Sequence, residues 1–378
     1  MTVGGLMLVP SLSRAGLDDE RTPSPTGMLK DITLPWDDKV PAMKARLSAN
    51  ENPYGPSEAV RKAVAEAVGL GNRYGHEDAA QLIAMIAEKE GVTGDHIMLG
   101  PGSTDLLEKT AISLFLQGGN IVSGDPSYMS IINTARAIGA QWKPVPLTAD
   151  YAHDVNAMAA AIDRETRLVY VCNPNNPLGT ITPPETLRRF CSEVSARVPV
   201  FVDEAYVDFL DNPAGHTMVG LVSEGKDVII ARTFSKIHSM AGLRIGYIVA
   251  QPERIKALNS IVRGTMGLCV TSLRGAIASL NDQAFHDESR RLNQACREYL
   301  CRELQQLGYA YIPSMTNFVI FPIGGEAEAF QRTLRDGGVS VRMFEIAGKP
   351  WCRISMGTQQ EMELCVDVLR KATVEASV

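Results

Sequence analysis

The strongest constraint on this chain is an alternation that begins near residue 56, where stretches of helical periodicity separate short runs that are almost wholly apolar. The runs are Ile97-Met-Leu99, Asn120-Ile-Val122, Leu168-Val-Tyr-Val-Cys172, Val198-Pro-Val-Phe-Val202 and Val228-Ile-Ile-Ala231. A half-exposed strand would alternate polar with apolar residues, so unbroken apolarity reads as strands covered on both faces. Helices at Pro56 to Val68, Ala79 to Glu90 and Ser103 to Leu116 supply covers. The pattern predicts an α/β fold, a mostly parallel sheet with helices on both sides. A long, interrupted helical region from about Pro252 to Leu304 ends the alternation. Strand candidates at Asn317 to Phe321, Val339 to Arg342 and Trp351 to Ser355, with helices near 326–336 and 359–375, then predict a second, smaller α+β domain.

With 378 residues and 45% hydrophobic content, the chain can fill two cores. Its 37 basic and 43 acidic residues are interspersed, which leaves neither a basic stripe for nucleic acid nor a polybasic patch for lipid. A small-molecule substrate is expected instead. The seven cysteines include no Cys-x-x-Cys, and no histidine stands at metal-ligand spacing, so reduced packing cysteines and no metal are expected. At the amino terminus, Val3-Gly-Gly-Leu-Met-Leu-Val9 and Pro10-Ser-Leu-Ser-Arg-Ala15 resemble the apolar run and cleavage site of an export signal, but no Lys or Arg precedes Arg14. The expectation is a cytoplasmic protein, with a periplasmic one as the alternative. Residues 1–30 are set aside from the fold as a flexible or signal-like arm, too short to span a membrane.

Ligands of open parallel sheets bind beyond the carboxyl ends of the strands, and the residues there are unusually polar. Gly100-Pro-Gly-Ser103-Thr104 opens a helix with two hydroxyls and free backbone amides, a place for a phosphate or an ordinary helix cap. Asp125-Pro-Ser-Tyr128 offers a ring that either lies on a planar heterocycle or packs in a turn. Two Asn-Pro steps in Asn173-Pro-Asn-Asn176-Pro-Leu-Gly179 hold a defined loop that presents the Asn176 amide. In Asp203-Glu-Ala-Tyr206, a carboxylate at a buried strand end needs a partner, either a cationic ring nitrogen or an internal arginine. Lys236, in Arg232-Thr-Phe-Ser-Lys236, is a partly desolvated amine suited to Schiff-base chemistry or a plain helix-start lysine. Arg244, in Ala241-Gly-Leu-Arg-Ile-Gly246, suits bidentate phosphate binding. Arg353 is a charge inside an apolar strand that requires an anion, a substrate carboxylate or a structural acid.

Taken in order, Asn50-Glu-Asn-Pro-Tyr-Gly55, Asn173 to Gly179, Asp203 to Tyr206, Thr233 to Lys236, Ala241 to Gly246 and Arg353-Ile-Ser-Met-Gly-Thr358 resemble the pyridoxal-phosphate aminotransferases of fold type I. Within them the likeness is greatest to the histidinol-phosphate aminotransferase branch, and it covers about residues 30 to 375. The resemblance implies that Lys236 carries pyridoxal 5'-phosphate as a Schiff base and later moves the substrate proton. It implies that Asp203 keeps the ring nitrogen protonated, that Tyr206 and Asn176 bond the ring's phenolic oxygen, and that Tyr128 stacks on the ring. Ser103, Thr104, Ser235 and Arg244 match phosphate-binding positions. Tyr74 matches a tyrosine that reaches the phosphate from a neighbouring subunit, which implies a homodimer with shared sites. Arg353 matches the carboxylate-gripping arginine, and Tyr54, Asn52 and Arg342 match positions that shape the substrate pocket. The expected domains are a large cofactor domain over 56–255 and a small one over 256–378, with the amino-terminal segment 31–55 associated with the small one. Leu178 departs from the threonine usual in the Asn-Pro loop. A broad or aromatic aminotransferase, an oxidase or decarboxylase on the same scaffold, and a cofactor-binding regulator are the alternatives.

Overall fold

The computed structural model describes residues 27–32, 42–261 and 267–375. The signal-like segment Val3 to Ala15 lies outside the described residues. In chain order the strands are β1 (Leu29–Ile32), β2 (Ala45–Arg46), β3 (Ile97–Gly100), β4 (Asn120–Asp125), β5 (Gln141–Pro146), β6 (Thr166–Cys172), β7 (Val200–Asp203), β8 (Val228–Thr233), β9 (Gly246–Val249), β10 (Phe318–Pro322), β11 (Val339–Ser340), β12 (Arg342–Ile346) and β13 (Lys349–Ser355).

Seven of these form one sheet in the order β3-β9-β8-β7-β6-β4-β5. The pairs β4/β5, β4/β6, β6/β7 and β7/β8 are parallel, while β9 runs antiparallel to both β3 and β8. Side chains on successive residues enter different cores. Val169, Val171, Val200, Val202, Val228 and Ile230 belong to one cluster. Leu168, Tyr170, Phe201, Ile229 and Ala231 belong to the other. Both faces are therefore buried, which is why these strands read as continuous apolar runs. Two strands of this sheet, β5 and β9, are not among the expected runs, and only β5 lacks their signature. β5, Gln141-Trp-Lys-Pro-Val-Pro146, carries a lysine and two prolines, which an edge position tolerates because half its donors have no ladder partner. β9 follows β8 through residues 234–245, which form no α-helix, and an antiparallel pair needs no crossover helix.

Helices Glu58–Ala67, His76–Glu90, Ser103–Phe115 and Val270–Leu280 lie on this sheet or on each other, with Leu273 and Ala276 in the first core. A second core gathers Val319, Phe321, Met343, Cys352 and Ile354 from the four-stranded sheet β1-β12-β13-β10 with Leu300, Leu304, Leu334 and Leu369 from three helices. Ala45 and Leu47 also sit in this second core, and β2 pairs in parallel with β11. The single strand expected over Val339 to Arg342 is in fact two, β11 and β12, which belong to different sheets. The arm expected over residues 1–30 is also too long by its last residues. Leu29 and Lys30 already belong to β1, in register with Ile346 and Glu345, and Lys30 Nζ lies 2.8 Å from Glu345 Oε1. No helix among the described residues is long and apolar enough to cross a membrane.

Candidate active site

Where the parallel strands of the large sheet end, a cavity of about 380 Å³ is lined by Ser103, Thr104, Tyr128, Asn176, Asp203, Tyr206, Ser235, Lys236, Arg244 and Arg353. Ten residues scattered over 250 positions of sequence thus meet in one chamber. Asn50, Cys172 and Thr233 complete much of the wall.

Asp203 ends β7, and burial pushes its carboxyl up to about 6 against the opposing pull of the Ala205 N–H, the Tyr170 hydroxyl and Lys236. Its Oδ1 accepts from the Ala205 N–H at 3.1 Å and its Oδ2 from the Tyr170 hydroxyl at 3.3 Å. No arginine forms an ion pair with it among the described residues. The neighbouring Glu204 takes the arginine instead: its Oε2 lies 2.9 Å from Arg232 Nε, off the line of that N–H, and its oxygens accept from Thr217 Oγ1 at 2.8 Å and Met218 N–H at 2.7 Å. The internal salt bridge considered for Asp203 therefore belongs to the next residue. Asp203 is left facing the chamber.

Lys236 Nζ donates to the backbone carbonyl of Asn50 at 2.8 Å and sits 5.4 Å from the Tyr206 ring centre. Burial, aided by Arg353 and opposed by Asp203, pulls this amine down to about 8. A neutral, nucleophilic amine is thus accessible close to neutral pH. The Tyr206 hydroxyl accepts from Asn50 Nδ2 at 2.8 Å and from Asn176 Nδ2 at 3.5 Å. With both lone pairs engaged, its own proton remains for a ligand oxygen. Asn50 Oδ1 in turn accepts from Ser355 Oγ at 2.6 Å. Asn50 is the site residue that motif reading passed over in favour of Asn52. Its main contribution is a backbone carbonyl, which no side-chain pattern announces.

A cradle with the character of an anion site lies at the start of the helix Ser103–Phe115. Gly102 precedes it at φ +90, and any side chain there would collide with the Arg244 guanidinium. Arg244 Nη1 donates to Ser235 Oγ at 3.2 Å and to the Ala241 carbonyl at 3.0 Å, and no acid pairs with it among the described residues. Thr104 Oγ1 and the Tyr128 hydroxyl are 3.3 Å apart, tying the tyrosine to the same helix start. Free amides, hydroxyls and an unneutralised guanidinium make an anion site.

Arg353, in β13, is 7% exposed and is held between the Phe318 and Phe344 rings, each centred 5.2 Å from its guanidinium carbon. Burial pulls it down to about 10. Its hydrogen bonds go to neutral oxygens, Asn176 Oδ1 at 2.7 Å and the Ser48 carbonyl at 3.3 Å, and its Nε has none. No structural acid serves it among the described residues.

Four residues expected at the site are placed elsewhere in this chain. Tyr74 is 75% exposed, its ring 5.7 Å from that of His76. Asn52 is spent on structure, its Nδ2 donating to the Ile237 carbonyl and Ser289 Oγ, both at 3.1 Å. Tyr54 contacts Cys296 Sγ at 3.8 Å and borders a small separate pocket. Arg342 lines an outer cavity of about 630 Å³ that shares Tyr128, Asn176 and Arg353 with the chamber, and Asp31 holds it through bonds of 3.1 and 2.6 Å.

The chamber's own groups share an unmet need: a buried carboxylate without a cation, a phenol proton without an acceptor, a guanidinium at an anion cradle, and an amine tuned to attack a carbonyl. A flat aldehyde with a basic ring nitrogen, a phenolic oxygen and a phosphate meets all four, which defines the protein as a pyridoxal-phosphate enzyme of fold type I. The profile of the family described as "Aminotransferase class I and II" matches residues 42–369. The chain is 38% identical over 331 residues to histidinol-phosphate aminotransferase 1 of Cupriavidus pinatubonensis, covering 86% of this chain and 88% of that one. It is 37% identical to histidinol-phosphate aminotransferase of Moorella thermoacetica, over 86% and 84% of the two chains. Its structure matches that of histidinol-phosphate aminotransferase from Sinorhizobium meliloti in complex with pyridoxal-5'-phosphate at a TM-score of 0.82 and 28% identity, over 88% and 91% of the two. The chain belongs to the class I and II aminotransferases and is a pyridoxal-phosphate-dependent transaminase most similar, among these relatives, to the histidinol-phosphate enzymes.

Proposed function

We propose that this transaminase takes histidinol phosphate as amino donor and a 2-oxo acid as acceptor, in two half-reactions at a site shared between the subunits of a homodimer. The observation that carries the reading is Arg353, a buried guanidinium bonded only to neutral oxygens beside Lys236. Donor and acceptor each present an anion, a phosphate or a carboxylate, close to the reacting carbon, and one planar fork can grip either.

When bound, pyridoxal phosphate supplies an electron sink that allows a proton to leave the substrate carbon. In this reading Lys236 Nζ would take that proton and return it two bonds away, across the transferred nitrogen. Asp203 holds a proton on the ring nitrogen, and the Tyr206 hydroxyl, aligned by Asn176, donates to the ring oxygen. Ser103, Thr104, Ser235 and Arg244 hold the phosphate, and Tyr128 covers the ring. Tyr74 reaches the partner's site, which its 75% exposure leaves it free to do. Tyr54, Asn52 and Arg342 would act in shaping the pocket, the first two through the loop they brace. A cofactor lobe over 56–255 and a small lobe of 31–55 with 256–378 are part of the same reading, supported by Ala45 and Leu47 sharing a core with Leu300 and Leu304. Seven unpaired cysteines support a reducing compartment, hence the cytoplasm.

The test is to mix purified holoenzyme with a panel of amino donors and record the cofactor spectrum. Rapid bleaching by histidinol phosphate and not by aromatic amino acids is the expected result. Bleaching by aromatic amino acids alone would favour the broad alternative, for which the Trp142 and Phe344 walls of the outer cavity speak.

A further inference from the structure

Four basic side chains line the outer cavity: Lys30, Arg136, Arg342 and Arg353. Two are neutralised from within the chain. Lys30 Nζ meets Glu345 Oε1 at 2.8 Å, and Arg342 is held doubly by Asp31. Arg353 has only neutral acceptors. Arg136, in the last turn of the helix Ser130–Ala137, is half-buried, and its side chain has neither an ion pair nor a hydrogen bond among the described residues. Two guanidinium groups without an ion pair thus line one cavity, an arrangement that suits a ligand with two separate anionic groups.

Resting on the reading of Arg353 as the grip for the anion nearest the reacting carbon, we propose that Arg136 is a specificity-determining residue that binds the far carboxylate of a dicarboxylic 2-oxo acid acceptor. The inner carboxylate lies at Arg353, which lines both the outer cavity and the Lys236 chamber, and the outer one at Arg136, in a wall that also includes Asn133 and Met129. Histidinol phosphate carries a single anionic group, which Arg353 accommodates, so the donor places no demand on Arg136. The second guanidinium therefore selects the acceptor.

The acceptor half-reaction tests this, starting from enzyme already converted to its amine form. 2-Oxoglutarate and 2-oxopentanoate have the same chain length and differ in the far carboxylate. Arg136→Gln should reduce the ratio of their kcat/KM values by roughly 10- to 100-fold, chiefly through KM for 2-oxoglutarate, and Arg136→Lys should recover part of it. An unchanged ratio, or an equal loss with both acceptors or with histidinol phosphate, overturns the assignment. If the variants do not fold, wild-type enzyme still decides: glutarate must inhibit at a concentration at least about tenfold below that of pentanoate, and equal inhibition refutes the proposal. Absence of bleaching by histidinol phosphate would instead defeat the donor assignment, whatever Arg136 does.

Discussion

Replacing Asp203 with asparagine should move activity and stability in opposite directions. Burial raises this carboxyl from 3.8 to about 6 in the cofactor-free chain. That is two powers of ten, or ~3 kcal/mol at ~1.4 kcal/mol per power of ten. The sign is unfavourable to folding, because the folded state binds the proton more tightly than the unfolded one. The cost is absent below about pH 4, grows as pH rises toward 6, and is complete above it. Asparagine keeps the shape and carries no charge, but it loses the attraction to Lys236 that partly offsets the cost. Asp203→Asn apoenzyme should therefore be about 1–3 kcal/mol more stable than wild-type apoenzyme at pH 7, with the gap closing at pH 4. The holoenzyme should lose about 100-fold or more in kcat, since a preorganised charge opposite the ring nitrogen is gone. Urea unfolding of both apoenzymes at the two pH values measures the first effect, and single-turnover absorbance measures the second. A variant less stable than wild type at pH 7, or a gap of the same size at pH 4, would refute the account of Asp203 as a carboxylate kept charged for a missing cation.

Covalent attachment of cofactor to apoenzyme should accelerate as pH rises through about 8, where Lys236 loses its proton, and level off above; stopped-flow absorbance reads this, and a rate flat from pH 6 to 9 would contradict it. Tyr74→Ala and Lys236→Ala should each be inactive alone, while a refolded mixture regains up to about a quarter of wild-type activity, since half the dimers carry one intact site. No recovery would mean that Tyr74 serves its own chain's site or none. Arg353→Gln should raise KM for a 2-oxo acid by roughly 10- to 100-fold, measured by steady-state kinetics. A change under about threefold would place the substrate anion elsewhere.

The central strands were legible because they are covered on both faces, so that apolar residues dominate them and the polar ones gather toward their ends. β5 was not, because an edge strand can keep Lys143, Pro144 and Pro146 at little cost. The chamber's side chains were legible as strand-end polar residues, and the family likeness ordered them. Illegible were the groups whose meaning is tertiary. Asn50 acts largely through its carbonyl, and Asp31 neutralises Arg342 from 311 positions away. Arg136 is notable only because Lys30 and Arg342, in the same cavity wall, are already matched by acids. A sequence records which residues carry charge; which charges are left unmatched depends on the fold.

Asp203 and Glu204 show how the fold makes that choice. Both are buried acids at one strand end, and composition gives neither priority. Successive residues of β7 face opposite sides, as Phe201 and Val202 do by entering different cores. β8 pairs Asp203 with Ala231, so the next residue, Arg232, falls on the Val202 side and meets Glu204. Thr233 falls on the other side and lines the chamber with Asp203. A slip of one residue between β7 and β8 would turn every apolar side chain of the strand to the wrong core and would hand the arginine's partner to the solvent of the chamber. The same packing that fixes the register of two buried strands therefore decides which carboxylate is neutralised within the protein and which waits for a ring nitrogen.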